Sequence, residues 1–251
     1  MIVMPKQQNG IVLSKHSNAE EMSRAAADLL IGELRRKSDL LLCTATGASP
    51  TGTYQVLAEE RGRNAALFQR FRVLKLDEWG GLAMDDPGSC EAYLRQHVLG
   101  PLGISNDRYA GFESQPKDPE AECVRIRTWL RANGPIDVCV LGLGTNGHLA
   151  MNEPADVLKP FVHVAQLAQT TLAHSMLAQS ARRPSFGLTL GLSDIFHSKR
   201  IVLLVSGAQK SEQLARLMTG QISTQFPASL LWLHPSVTCF CDAEAASKLR
   251  S

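Results

Sequence analysis

The chain has 251 residues, 44% hydrophobic and 20% charged, an ordinary globular balance with room for one large core or two modest ones. Its 26 basic and 24 acidic residues leave a net charge of +2, which implies no broad electropositive face and excludes nucleic acid as an expected partner. Residues 1–6 carry no long apolar signal region and no run elsewhere reaches membrane-spanning length, so a cytoplasmic protein without a membrane partner is expected.

The polar residues 1–10 predict a loose arm, and 11–13 a short strand. Asn18 is placed to cap a helix, with Glu21 three positions on to complete a capping box, and Met22, Ala26, Leu29 and Ile31 supply its apolar stripe. Residues 40–43 form a continuously apolar strand that runs into Thr44-Ala45-Thr46-Gly47-Ala48-Ser49-Pro50. There Ser49 is the expected cap of the next helix, and Pro50 suits its first turn.

Residues 71–76 read as a strand with Asp77-Glu78-Trp79-Gly80-Gly81 at its carboxyl end. Ser89 opens a helix through about residue 97, and Asp118-Pro119 opens another that stops at Gly134. The strongly apolar strand 136–141 leads directly into Gly142-Leu143-Gly144-Thr145-Asn146-Gly147. Periodicity weakens over 154–184, where one or two short helices are expected. Strands at 186–190, 201–205 and 237–241 and a helix over 209–218 complete the chain.

Apolar strands alternating with amphipathic helices predict an α/β fold of three layers: a mainly parallel, Rossmann-like sheet with helices on both faces. No linker divides it, so one domain over 1–251 is expected, with 155–185 as a small lid. The six cysteines form no CxxC pair and suit reduced, mostly buried thiols; Cys239 and Cys241 share one side of a strand.

In such a sheet, ligands bind beyond the carboxyl ends of the strands. Polar segments fall there at 44–49, 77–78, 142–153 and 206–210. The small residues at 46–49 suit a phosphate cradle, or equally a capped helix after a tight turn. Gly142-x-Gly144-x-x-Gly147 matches a dinucleotide fingerprint in letters, but Asn152-Glu153-Pro154 cuts off the long helix that motif needs. No cofactor and no metal site are therefore expected. The glycines instead open a turn that projects Asn146, His148 and Glu153, where His148 suits either a satisfied structural histidine or a tuned acid–base group whose imidazole Glu153 can orient. Asp77 at a strand tip suits either a general base or a loop cap, and Glu78 carries the same ambiguity. Lys210 opens a helix where a cation gains nothing from the dipole, which suits either a contact with a bound anion or an ordinary solvated surface lysine.

Three pieces, Ala45-Thr46-Gly47-Ala48-Ser49-Pro50, Leu76-Asp77-Glu78-Trp79 and 141–154, together with Ser206-Gly207-Ala208-Gln209-Lys210, resemble the glucosamine-6-phosphate deaminase/6-phosphogluconolactonase family. Within it the chain is most similar to the galactosamine-6-phosphate isomerase/deaminase group, over about residues 11–241. The resemblance implies a sugar-phosphate substrate, with Thr46, Gly47, Ala48, Ser49 and Lys210 holding phosphate. Asp77 would move a proton from C2 to C1, and His148, supported by Asn146 and Glu153, would open the ring. Asn152-Glu153-Pro154 favours the deaminase side over the lactonase side. Asparagine at 146, where some members have aspartate, implies a shifted pH optimum. A phosphate-gripping arginine has no counterpart near His174-Ser175-Met176, leaving Arg182 or Arg183 as substitutes; Gly144 and His174 are further candidate contacts. Residues 158–165 lack the basic residues of the family's allosteric site, and the longer C-terminal segment of the regulated hexamers is absent, so no such activation is expected. A monomer and a small homo-oligomer both fit.

Overall fold

The computed structural model describes residues 10–249, so the expected arm falls, apart from Gly10, outside the described residues. Among the described residues ten strands form two sheets. They are β1 (Ile11–Lys15), β2 (Leu41–Thr44), β3 (Arg72–Lys75), β4 (Asp77–Gly80), β5 (Tyr109–Ala110), β6 (Val138–Gly142), β7 (His163–Ala165), β8 (Phe186–Thr189), β9 (Arg200–Val205) and β10 (Val237–Cys241). The large sheet runs β1-β10-β9-β6-β2-β3-β5, with every neighbouring pair parallel. The helices include α1 (Ala19–Arg36), α2 (Ala48–Arg63), α3 (Cys90–Leu94), α4 (Pro119–Asn133), α5 (Gln169–Leu172), α6 (Leu192–Phe196) and α7 (Ser211–Leu217).

Alternation of side chains along each strand builds a core on each face. Leu42, Val73, Val140, Val202 and Leu204 pack with Met22, Ala26, Leu30 and Leu34 of α1 and with Tyr54 and Leu57 of α2. Their alternates Leu41, Leu74, Leu141, Leu203 and Cys239 pack with Cys123 and Ile126 of α4, Ile195 of α6, and Leu214 and Leu217 of α7. The three-layer α/β expectation therefore holds. All six cysteines are buried and unbridged. Among the described residues no helix is long and apolar enough to cross a membrane.

Several local expectations change. Asn18 caps α1 by accepting from Glu21 N, but the Glu21 carboxylate reaches back to Ser17 rather than closing the box on Asn18. On α1 the stripe is completed by Leu30 and Leu34, with Leu29 only half-buried. Ser49 does not cap α2; Gly47 does, at φ 104°, and Ser49 lies inside the first turn. After α3 the chain continues through a wide π turn, Arg95–Leu99, and a last turn, Gly100–Leu102.

The largest difference is a second sheet. The segment after β3 is not a loop but β4, which pairs antiparallel with β8, and β8 pairs antiparallel with β7. Strand β8 thus leaves the parallel sheet to which its apolar run assigned it, and the weakly patterned stretch 154–184 contributes a strand as well as short helices.

Candidate active site

A cleft of about 570 Å³ opens at the carboxyl ends of β2, β3, β6 and β9. Their following segments converge on it from residues as distant as Thr46 and Lys210.

One corner suits an anion. Gly47, Ala48 and Ser49 line the cleft where α2 begins, and Gly47 offers no side chain to cap the helix's first N–H groups. With no acidic residue in that first turn, the positive end of a 16-residue helix faces the opening. Thr51 Oγ1 and Tyr93 Oη both donate to Gly47 O at 2.9 Å, which fixes the turn. Ser49 Oγ lies 3.0 Å from Ser206 Oγ, joining the turn after β2 to the turn after β9. Lys210 lines the same cleft half-buried, and that burial holds its ammonium below the ordinary lysine range. A bound anion would restore the lost solvation.

A second group is built around His148. Gly144 and Gly147 turn the chain after β6, and a Cβ on Gly144 would meet the imidazole at 2.5 Å, so the ring can pack here only against glycine. Asn146 Oδ1 accepts from His148 N at 3.1 Å and lies 2.8 Å from Nδ1. Because Asn146 Nδ2 donates to Glu153 Oε2 at 2.8 Å, its oxygen must face the imidazole. That places the proton on Nδ1 and leaves Nε2 as the open nitrogen of the neutral ring. Glu153 Oε2 stands 3.5 Å from Nδ1. Burial opposes ionisation of Glu153, but hydrogen bonding to His148 and the positive charge that ring carries once protonated outweigh it and hold the carboxyl at about 2. The result is an imidazole held in one tautomer beside a permanent anion. Ala150, on the cleft wall, takes φ 53°, the one left-handed non-glycine among the described residues.

Asp77 opens β4 at the point where the chain passes from the large sheet to the small one. It lines the cleft yet is only 8% exposed. Burial, then the charge of Glu78, push its carboxyl up to about 7, against an opposing pull from Lys75 and a thiol contact from Cys90 Sγ at 3.9 Å. A carboxyl so poised can both take and return a proton near neutrality. His174 also lines the cleft; burial, then Lys210 and His148, lower its proton affinity and favour the neutral ring.

Thr46, Gly47, Ala48, Ser49, Asp77, Gly144, His148, His174 and Lys210 therefore line one space, with Asn146 and Glu153 directly behind His148. Three expected residues do not reach it. Glu78 is buried away from the cleft, its Oε1 accepting from Trp79 N and Cys90 N and its Oε2 from Lys75 Nζ and Glu91 N, all at 2.7–2.9 Å. No oxygen remains for a ligand. Arg182 and Arg183 are exposed and outside the cleft lining. Cys90 and Thr171 do line the cleft and escape sequence reading: one follows an ordinary helix cap, the other lies in the stretch without periodicity. Among the described residues no group of three or more His, Cys, Asp or Glu is placed to hold a metal ion.

A family model described as glucosamine-6-phosphate isomerases/6-phosphogluconolactonase matches residues 14–239. An Escherichia coli (strain K12) protein, AgaI, provisionally described as a deaminase, is 39% identical over 230 residues, covering 92% of this chain and 91% of that protein. Glucosamine-6-phosphate deaminase 1 of Bacillus subtilis (strain 168) is 38% identical, covering 91% and 95%. The solved structure of a monomeric glucosamine-6-phosphate deaminase superposes with a TM-score of 0.90 at 36% identity, covering 95% of this chain and all of that one. A 6-phosphogluconolactonase from Trypanosoma brucei, 20% identical over 95% of this chain and 98% of its own, reaches 0.75 and shares the fold.

Proposed function

The chain belongs to the family of glucosamine-6-phosphate isomerases and 6-phosphogluconolactonases, and from that premise we propose that it converts an amino-sugar 6-phosphate to a ketose 6-phosphate and ammonia. The observation that carries this reading is the convergence of an anion corner, a poised carboxyl and an oriented imidazole on one cleft.

In this mechanism the first turn of α2, the hydroxyls of Thr46 and Ser49 and the ammonium of Lys210 hold the phosphate. Nε2 of His148 takes the proton of the C1 hydroxyl and passes it to the ring oxygen as the C1–O bond breaks, which opens the hemiacetal to the aldehyde and returns the imidazole to neutral. Glu153 steadies the imidazolium through Nδ1, and Asn146 keeps the ring in place. Ionised Asp77 then removes the C2 proton, giving an enolamine, and returns it to C1. The 2-imine that results adds water and releases ammonia, leaving the 2-ketose. Fixing the phosphate end of a flexible open chain brings C1 and C2 to these two groups with the entropy already lost on binding. Residues 155–185 act as the lid, with β7 as its fixed edge and α5 and the turn at Ser175–Gln179 as its moving part.

The C4 epimer is part of the same test. Purified protein is given galactosamine 6-phosphate, glucosamine 6-phosphate or 6-phosphogluconolactone while ammonia and ketose phosphate are followed. Ammonia from either amino sugar, lost in folded Asp77→Asn and His148→Gln, supports the reading, and the ratio of the two rates assigns the epimer. Lactone hydrolysis without ammonia would replace it with the lactonase reaction. Binding of all three without turnover would make the chain a sugar-phosphate-binding protein.

A further inference from the structure

Behind Asp77, out of reach of any ligand, lies a buried ionic cluster that the proposed chemistry leaves unused. Lys75 ends β3 with its side chain 0% exposed, and its ammonium lies 2.7 Å from both Glu78 Oε2 and Glu91 Oε2, whose side chains are 0% and 2% exposed. Tyr109 Oη donates to Glu91 Oε2 at 2.5 Å, and Arg95 reaches Glu91 Oε1 at 2.8 Å from the surface. Burial works against the Lys75 charge, but Glu78 and then Glu91 outweigh it and keep the ammonium above its ordinary range.

A buried ion cluster of this kind is a poor source of stability. Desolvating the charges costs roughly what their attraction returns, and an apolar side chain of similar volume fills such a space as well. Its placement is more informative. Lys75 is two residues before Asp77, and Glu78 is the next residue after it. Through its bonds to Cys90 N and Glu91 N, Glu78 also ties the start of α3 to β4, which sets the Cys90 thiol against Asp77. We infer that Lys75, clamped between Glu78 and Glu91, is a positioning residue that sets the net charge felt by Asp77. Its role in turnover rests on the reading of Asp77 as the base.

The groups facing Asp77 are few. Glu78 lies on its own strand, Lys75 on β3, Cys43 on β2, Tyr54 on α2 and Cys90 on α3, with Glu91 one step behind Lys75. Burial pushes the Cys43, Cys90 and Tyr54 groups far up, so they stay neutral. Across the open cleft stand His148, His174 and Lys210. Among the buried neighbours, the balance of Lys75 against Glu78 and Glu91 therefore decides how much negative charge Asp77 meets.

The test uses opposite signs. In ligand-free protein carrying carbon-13 aspartate, the Asp77 carboxyl signal is assigned by its loss in Asp77→Asn and titrated. Glu91→Gln keeps the volume and an acceptor for Lys75 while removing one anion, so the Asp77 midpoint falls by about half to one pH unit. Lys75→Met removes the cation, and the midpoint rises by about one pH unit. The acid limb of ammonia release moves with each. A merely structural cluster would lower the rate of both variants and leave the midpoint where it is; that result, or shifts of the same sign, overturns the inference. Should Lys75→Met not fold, the direction of the Glu91→Gln shift decides alone. Opposite shifts in a protein that releases no ammonia would remove the catalytic reading and keep the charge-setting role; unmoved midpoints with ammonia release intact would do the reverse.

Discussion

Asp77 shows how a single buried carboxyl links rate to stability. With its proton held up to about 7, the ionised carboxylate accumulates as pH rises through that value, so on the proposed role of Asp77 as base kcat/KM for ammonia release should fall on the acid side with a midpoint near 7. In the unfolded chain the same group ionises near 3.9, so between about 4 and 7 folding retains a proton that unfolding releases. Stability from this group is therefore complete below about 4 and is lost as pH rises through about 7. Asp77→Asn should abolish turnover yet melt a few degrees higher than wild type at about pH 8, with the gap closing toward pH 4; calorimetry across that range checks it. The position of Asp77 at a strand end is legible in the sequence because an apolar run stops there. That Glu78 points the other way is not, since both are carboxylates beside the same strand and only the three-dimensional place of Lys75 and α3 separates them. A lysine inside a strand reads as a solvated position, and nothing in its neighbours along the chain announces burial between two glutamates.

At the level of elements, the turn after β6 was readable in outline, because Gly144 and Gly147 mark a chain reversal in any fold. What the spacing cannot convey is the reason for the first glycine, which is the 2.5 Å approach of the His148 ring. Gly144→Ala should displace that ring, cost about 1–3 kcal/mol of stability and lower the ammonia-release rate at least tenfold, with the melting temperature and steady-state kinetics as the measurements. The second sheet was not legible. Strand β8 is as apolar as a strand of the parallel core, and a continuous apolar run carries no information about its partners or their direction. Strand β7, three residues long, is too short for its period to register. Backbone amides of α5 and Ser175–Gln179 should exchange faster than those of β7 and β8 without ligand, and become protected when a sugar phosphate is added. Equal exchange rates in both segments would remove the lid.

For the molecule as a whole, the alternation of apolar strands and amphipathic helices was sufficient to give the layered α/β architecture, because burial on both faces demands it. The cleft was legible for a related reason: polar segments after four parallel strands must all emerge on one edge. Residues 158–165, which the resemblance implies do not form an effector site, carry Lys159 and end in β7, where His163 Nδ1 meets Phe161 O at 2.7 Å. Initial-rate curves should accordingly be hyperbolic and unchanged by N-acetylglucosamine 6-phosphate; activation by that compound would contradict this.

The contributors to the cleft span the sequence from Ala45 to Lys210, so no fragment that leaves out either end of that span possesses the whole site. An occupant would bolt together the turns after β2, β6 and β9 and act as a tether against global opening. Limited proteolysis should therefore run more slowly with a sugar phosphate added than without it.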